Sequence, residues 1–256
     1  RQSIRTDSPM DEQQPIAGSM LLYERPELVT REEHGHLGLR NLPQAFAFAR
    51  YVRGVPLMVS EVRSAQRFYP IVFSDDRNPV PMAVLGVLEA RNLFVDDDGA
   101  WQVPSYVPAY LRCYPFALAT AKDDRLALVV DRAAATVSDR PDVPFFEGDA
   151  LSPAVQERLE LCRTYEAERQ RTQAFCQMLV RHGLLVRQEA RHAIDGQEEQ
   201  TIARYFAVDP DRLMALDRDT VDAMFRDGSL GAITAHLFSL DNFDELVRLR
   251  QQREAR

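Results

Sequence analysis

Five polar side chains are embedded in the most aromatic stretch of the chain: Glu61, Asn92, Tyr106, Tyr110 and Arg112, with Trp101 and Tyr114 beside them. A guanidinium clamps a carboxylate through two parallel N–H donors, and tyrosine and tryptophan rings give large contact area at low entropic cost. The combination suits binding of a peptide or protein partner, so Glu61, Asn92, Trp101, Tyr106, Tyr110, Arg112 and Tyr114 form the candidate ligand-binding set. The competing reading is structural. Glu61 and Arg112 would then neutralise each other while the rings fill a core.

Other chemistry is less well supported. Glu32-Glu33-His34-Gly35-His36 has the composition of a zinc or iron site. Yet the stretch is acidic, interrupted by Gly35 and without a defined third ligand, so a surface role is favoured and neither metal nor cofactor is expected. Asp96-Asp97-Asp98-Gly99 lacks the alternating acids of a calcium loop, whose first position would fall on Phe94, and reads as a turn. Cys113 follows Arg112, whose charge favours a thiolate, but it lies between Leu111 and Tyr114, where a cysteine is more often a small buried residue. His192 and His236 stand alone. No G-x-S-x-G, G-x-G-x-x-G or G-x-x-x-x-G-K occurs, so hydrolase, dinucleotide and phosphate-loop chemistry lose their signals. A non-enzymatic protein is favoured over a metal enzyme using His34 and His36 or a thiol enzyme using Cys113.

Short strands must position these residues. Phe68-Tyr69-Pro70-Ile71-Val72-Phe73 and Pro81-Met82-Ala83-Val84-Leu85 are apolar runs bounded by turn signals, and Asp98-Gly99 before Trp101 predicts a type I′ hairpin turn. The word order Val55-Pro56-Leu57, Glu61, Tyr69-Pro70-Ile71-Val72-Phe73, Leu85-Gly86, Asn92-Leu93-Phe94, Asp98-Gly99-x-Trp101, Tyr106-x-Pro108-Ala109-Tyr110 and Arg112-x-Tyr114-Pro115-Phe116 resembles the bacterial SapC family. The resemblance runs from about Leu21 to Arg250. Where members commonly carry a second arginine, this chain has Cys113, so an arginine pair is not carried over. The resemblance implies a shared fold and a link to surface-layer arrays and peptide handling. It implies no reaction and no catalytic residue.

Residues 1–20 are polar, carry Pro9 and Pro15, and read as a flexible leader. Ala45, Phe46, Phe48, Ala49 and Val52 have helical spacing, with Gly54 as the stop, and Glu61 to Phe68 reads as another short helix. Phe116–Thr120 and Leu126–Val130 are strands about the turn Lys122-Asp123-Asp124. The proline- and acid-rich loop Ser138 to Asp149 is the best boundary. Beyond it, Ser152-Pro153 starts and Gly183 stops a helix about 45 Å long, whose polar middle, Glu166 to Thr172, is expected in solvent or at a kink. A hairpin about Asp195-Gly196 follows, then helices capped by Asp209 and Asp217, a third after Gly228, and a terminal helix opened by Ser239. The fold class is α+β: an antiparallel-sheet-centred mixed domain, 21–142, then a mainly helical half with one hairpin, 143–256, with a shared core left open.

At 45% hydrophobic residues the chain can bury a substantial core, and a net charge of -8 argues against nucleic acid as a partner. No run reaches the roughly 20 apolar residues of a membrane span, and the N-terminus has no hydrophobic signal core, so a cytoplasmic location is expected. Three cysteines without C-x-x-C spacing read as reduced thiols. The expected partner is a peptide or protein, and a homodimer is compatible with the sequence.

Overall fold

A computed structural model describes residues 21–88, 91–120, 126–193 and 198–255. The leader and the turns Lys122-Asp123-Asp124 and Asp195-Gly196 lie outside the described residues. The fold is α+β, and its paired strands are antiparallel. The largest sheet has five strands in the order Leu185–Ala193, Glu199–Val208, Ile71–Phe73, Pro81–Val84, Gly54–Pro56. Its middle strand is apolar throughout because both faces are covered: Ile71, Val72 and Phe73 are all buried. Phe73 shares a core with Phe175 and Leu179, while Ile71 and Val72 share another with Leu246 and Val247. The hairpin enters this sheet with Phe206 opposite Phe73, so strands from both sides of the Ser138–Asp149 loop complete one sheet.

Smaller sheets surround it. Pro26–Leu28, Leu126–Asp131 and Phe116–Thr120 form one. The loop predicted as a boundary folds back on itself: Val137–Ser138 and Val143–Pro144 flank Gly38–Leu39, and Phe146–Glu147 pairs with Ala150–Leu151. A β-carbon on Gly38 would meet the Val143 carbonyl oxygen at 2.2 Å, so the close approach of these strands requires glycine there.

The long helix spans Pro153–Arg181, 29 residues. Gly183, at φ 61°, ends it: its N–H donates to Val180 O (2.9 Å) and that of Leu184 to Leu179 O (3.0 Å). Most of its polar middle faces solvent as expected, with Ala167, Arg169, Gln170 and Arg171 exposed, but the segment ends on Thr172, which is buried and whose Oγ1 accepts the Val59 N–H at 2.9 Å. Three local expectations are corrected. Between Pro43 and Val52 only a single 3-10 turn, Ala47–Ala49, forms, since Phe46 N–H donates to Gly99 O and Asn92 Nδ2 to Ala49 O. At Asp98-Gly99 only Gly99 has a positive φ; the loop is closed by Asp96 Oδ1, which accepts the Ala100 N–H, rather than by a type I′ turn. Ser239 ends the helix Ser229–Ser239, while the last helix begins at Asn242.

Candidate binding site

The 3-10 turn Val59–Glu61 leads straight into the helix Val62–Ala65, and Glu61 at their junction is buried. Its Oε2 accepts the Met58 N–H at 2.9 Å, closing the turn. Its Oε1 accepts the Ala109 N–H at 2.7 Å and the Tyr106 hydroxyl at 2.8 Å, tying this turn to the helix Ala109–Cys113. A carboxylate can be buried when donors replace its water in this way. Tyr106 keeps its proton to donate, because burial first and then the Glu61 charge and hydrogen bond push its pKa up to about 12. The same hydroxyl accepts from Arg112 Nη2 at 3.2 Å, and the guanidinium lies 5.7 Å from the centroid of the Tyr106 ring. Arg112 itself is exposed. The predicted core ion pair between Glu61 and Arg112 does not form; the Tyr106 hydroxyl stands between the two groups.

These groups wall a pocket of about 180 Å³ between the Met58–Ser64 segment, the helix carrying Arg112, and the long helix, which contributes Leu161, Thr164, Tyr165 and Glu168. Sequence reading missed Tyr165 and Glu168, although Leu161, Thr164, Tyr165 and Glu168 recur at the three- and four-residue steps of one helix face. Of the other candidate residues, Tyr110 borders the pocket wall through its ring, 5.9 Å from that of Tyr165, and its hydroxyl donates to the Leu21 carbonyl. Tyr114 turns away, stacks on Phe48 at 4.2 Å and donates to Asp131 at 3.0 Å. Asp131 is a second buried carboxylate, held by Tyr114 and the N–H groups of Arg25 and Ala133. Asn92 is fully buried, with Nδ2 on Ala49 O and Oδ1 accepting the Phe94 N–H. Trp101 packs between Phe46 and Phe94. The structure therefore gathers Glu61, Tyr106 and Arg112, with Tyr110 alongside, and places Asn92, Trp101 and Tyr114 in packing roles.

The residues weighed for metal or thiol chemistry are committed elsewhere. His34 is buried, its Nδ1 accepting the Thr30 N–H at 3.3 Å and its Nε2 3.1 Å from Glu27 Oε2, while His36 is exposed. The two imidazoles do not converge, and among the described residues no group of three His, Cys, Asp or Glu is disposed to hold a metal. Cys113 and Cys162 are buried in the same core, and the interaction between the two thiols holds Cys113 below the usual thiol range and, with burial, pushes Cys162 well above it. His236 accepts the Val208 N–H on Nε2 at 3.1 Å and sits 2.7 Å from Ile71 O through Nδ1, so it braces the sheet.

Among the described residues no helix is long and apolar enough to cross a membrane. Comparison with curated proteins and with solved structures finds no match. The SapC family model matches residues 29–246, a span that includes the whole of this pocket and all five strands of the largest sheet; the chain belongs to the SapC family.

Proposed function

We propose that this chain is a non-enzymatic binding or accessory protein that holds a peptide or protein partner, with Arg112 clamping a partner carboxylate at the mouth of the pocket. The observation that supports this is the division of labour between Glu61 and Arg112. Glu61 is consumed by three internal donors, whereas the Arg112 guanidinium, positioned by Tyr106, faces solvent. A bacterial surface-layer or peptide-handling pathway is the setting that the family's associations suggest, with the cytoplasm as the compartment proposed for this chain's supporting role. The enzyme reading gains nothing comparable, since Cys113 is buried and His34 is tied to Glu27.

The test is a pull-down from native extract to identify the partner, followed by titration of wild type and Arg112→Lys. Lysine keeps the charge but loses the planar fork. The variant is expected to melt at the same temperature and to bind about tenfold more weakly, equivalent to about 1.4 kcal/mol. Undiminished binding by the folded variant removes the clamp. A large drop in melting temperature would return Arg112 to a structural role.

A further inference from the structure

The pocket at Arg112 does not end at Glu168. Ser60 and Glu168 also border a larger groove of about 790 Å³, which continues along the long helix to Arg181. Its opposite wall is the Val62–Ala65 helix and the first turn of the Ser229–Ser239 helix. Thr164, Glu168, Arg171, Phe175 and Met178 follow one another at three- and four-residue steps, so a single helix face floors both spaces. Thr164 to Arg181 is about 26 Å of helix rise, the length of about eight residues of extended chain.

The lining has a definite chemistry. Its floor is apolar, with Val62, Phe175, Met178 and Ala235 buried beneath it. Its rim carries more cation than acid: Arg63 and Arg181 are exposed, and among the described residues neither guanidinium has a partner, while Asp227 on the opposite wall is exposed with its Oδ1 accepting the Ser229 N–H. Arg171 adds a third cation, bonded to Glu168 Oε1 at 3.0 Å. Glu168 Oε2, at the junction of the two spaces, is buried with no hydrogen-bond partner, an acceptor still lacking a donor. On a chain of net charge -8, two uncommitted cations beside an apolar trough are a local reversal of sign.

We infer that this groove takes an extended peptide segment of mixed acidic and apolar residues. Apolar side chains lie on Phe175 and Met178, and carboxylates meet Arg63 and Arg181. The inference rests on the peptide-binding reading of the Arg112 pocket and names the sequence class that the partner presents. Its test uses the full chain and two fluorescein-labelled octapeptides, Asp-Leu-Glu-Leu-Asp-Leu-Glu-Leu and the same sequence with lysine at every acidic position, followed by fluorescence anisotropy. The acidic peptide is expected to bind saturably and the lysine peptide not to bind. Arg63→Gln with Arg181→Gln, both on exposed side chains, is expected to weaken the acidic peptide by about tenfold or more without lowering the melting temperature. Equal binding of the two peptides, binding of neither, or full affinity in the double variant overturns the inference. So does sedimentation with phosphatidylglycerol vesicles in the absence of peptide binding, which would give the groove to a lipid surface. Arg112→Lys in the same titration separates the two claims. Loss with Arg112→Lys alone keeps the clamp and removes the groove, and loss with the double variant alone does the reverse.

Discussion

Buried polar side chains in this protein act as fasteners, and their chemistry follows from what surrounds them. Glu61 and Asp131 are both buried carboxylates, and each is satisfied by backbone N–H groups together with a tyrosine hydroxyl. His236 is the neutral counterpart. Burial lowers its pKa from 6.5 to about 4, only partly opposed by the hydrogen bond at Ile71. Between these two values the unfolded chain binds a proton that the folded chain refuses, so stability is full above pH 6.5, falls as pH drops, and stops falling near pH 4. The shift corresponds to a loss of about 3 kcal/mol over that window. Urea denaturation of wild type and His236→Gln should therefore show the largest difference at about pH 7.5 and a clearly smaller one at about pH 4.5. A difference that stays constant with pH would mean that His236 takes up its proton over the same pH range in the folded and unfolded chains.

The elements that build the site meet at the middle of the long helix. Thr172 accepts the Val59 N–H at 2.9 Å and donates to Glu168 O at 2.9 Å, so one hydroxyl fixes the 3-10 turn of Glu61 against the helix that carries Tyr165 and Glu168. Thr172→Val keeps the shape and removes the acceptor, leaving a part-buried N–H unpaired. A loss of about 1–3 kcal/mol in urea denaturation is expected, with weaker peptide binding because the turn loosens. No change in stability would show that water replaces the hydroxyl. Element ends were legible in the sequence wherever the signal is local: Pro153 at the first helical position, Asp209 and Asp217 as caps accepting nearby N–H groups, and Gly183 beyond the last turn. Ser239 was misread because the same hydroxyl that could cap the next helix instead accepts the Ile71 N–H at 2.9 Å, a partner that only the tertiary fold brings close. The candidate site divides in the same way. Glu61, Tyr106 and Arg112 announce themselves by type, whereas Asn92 and Trp101 carry the same polar and aromatic labels and are spent on Ala49, Phe46 and Phe94.

At the scale of the whole molecule, the strand Ile71–Phe73 is held largely by residues far along the chain. Phe206 pairs with Phe73, His236 Nδ1 lies 2.7 Å from Ile71 O, and Ser239 Oγ accepts the Ile71 N–H. Asn242 Nδ2 reaches Gln66 O at 2.7 Å and Tyr69 O at 3.1 Å, and Arg253 Nη1 reaches Asn92 O at 3.0 Å. A chain cut after Asp142 would leave these backbone groups unpaired and strip Phe73 of Phe175 and Leu179, and Ile71 and Val72 of Leu246 and Val247. Each abandoned buried polar group costs about 1–3 kcal/mol and each uncovered large apolar side chain about 1.5–3 kcal/mol, against a typical total stability of about 5–15 kcal/mol. The fragment 21–142 is therefore expected not to fold alone, and the full chain to unfold in one transition. Trp101, the only tryptophan, reports on the N-terminal half, while far-UV circular dichroism is weighted by the helices after Ser152. The two signals should trace the same urea curve. Separate midpoints, or a fragment 21–142 that melts cooperatively, would show instead that the antiparallel core of the first half is self-sufficient and that the C-terminal half docks onto a preformed surface.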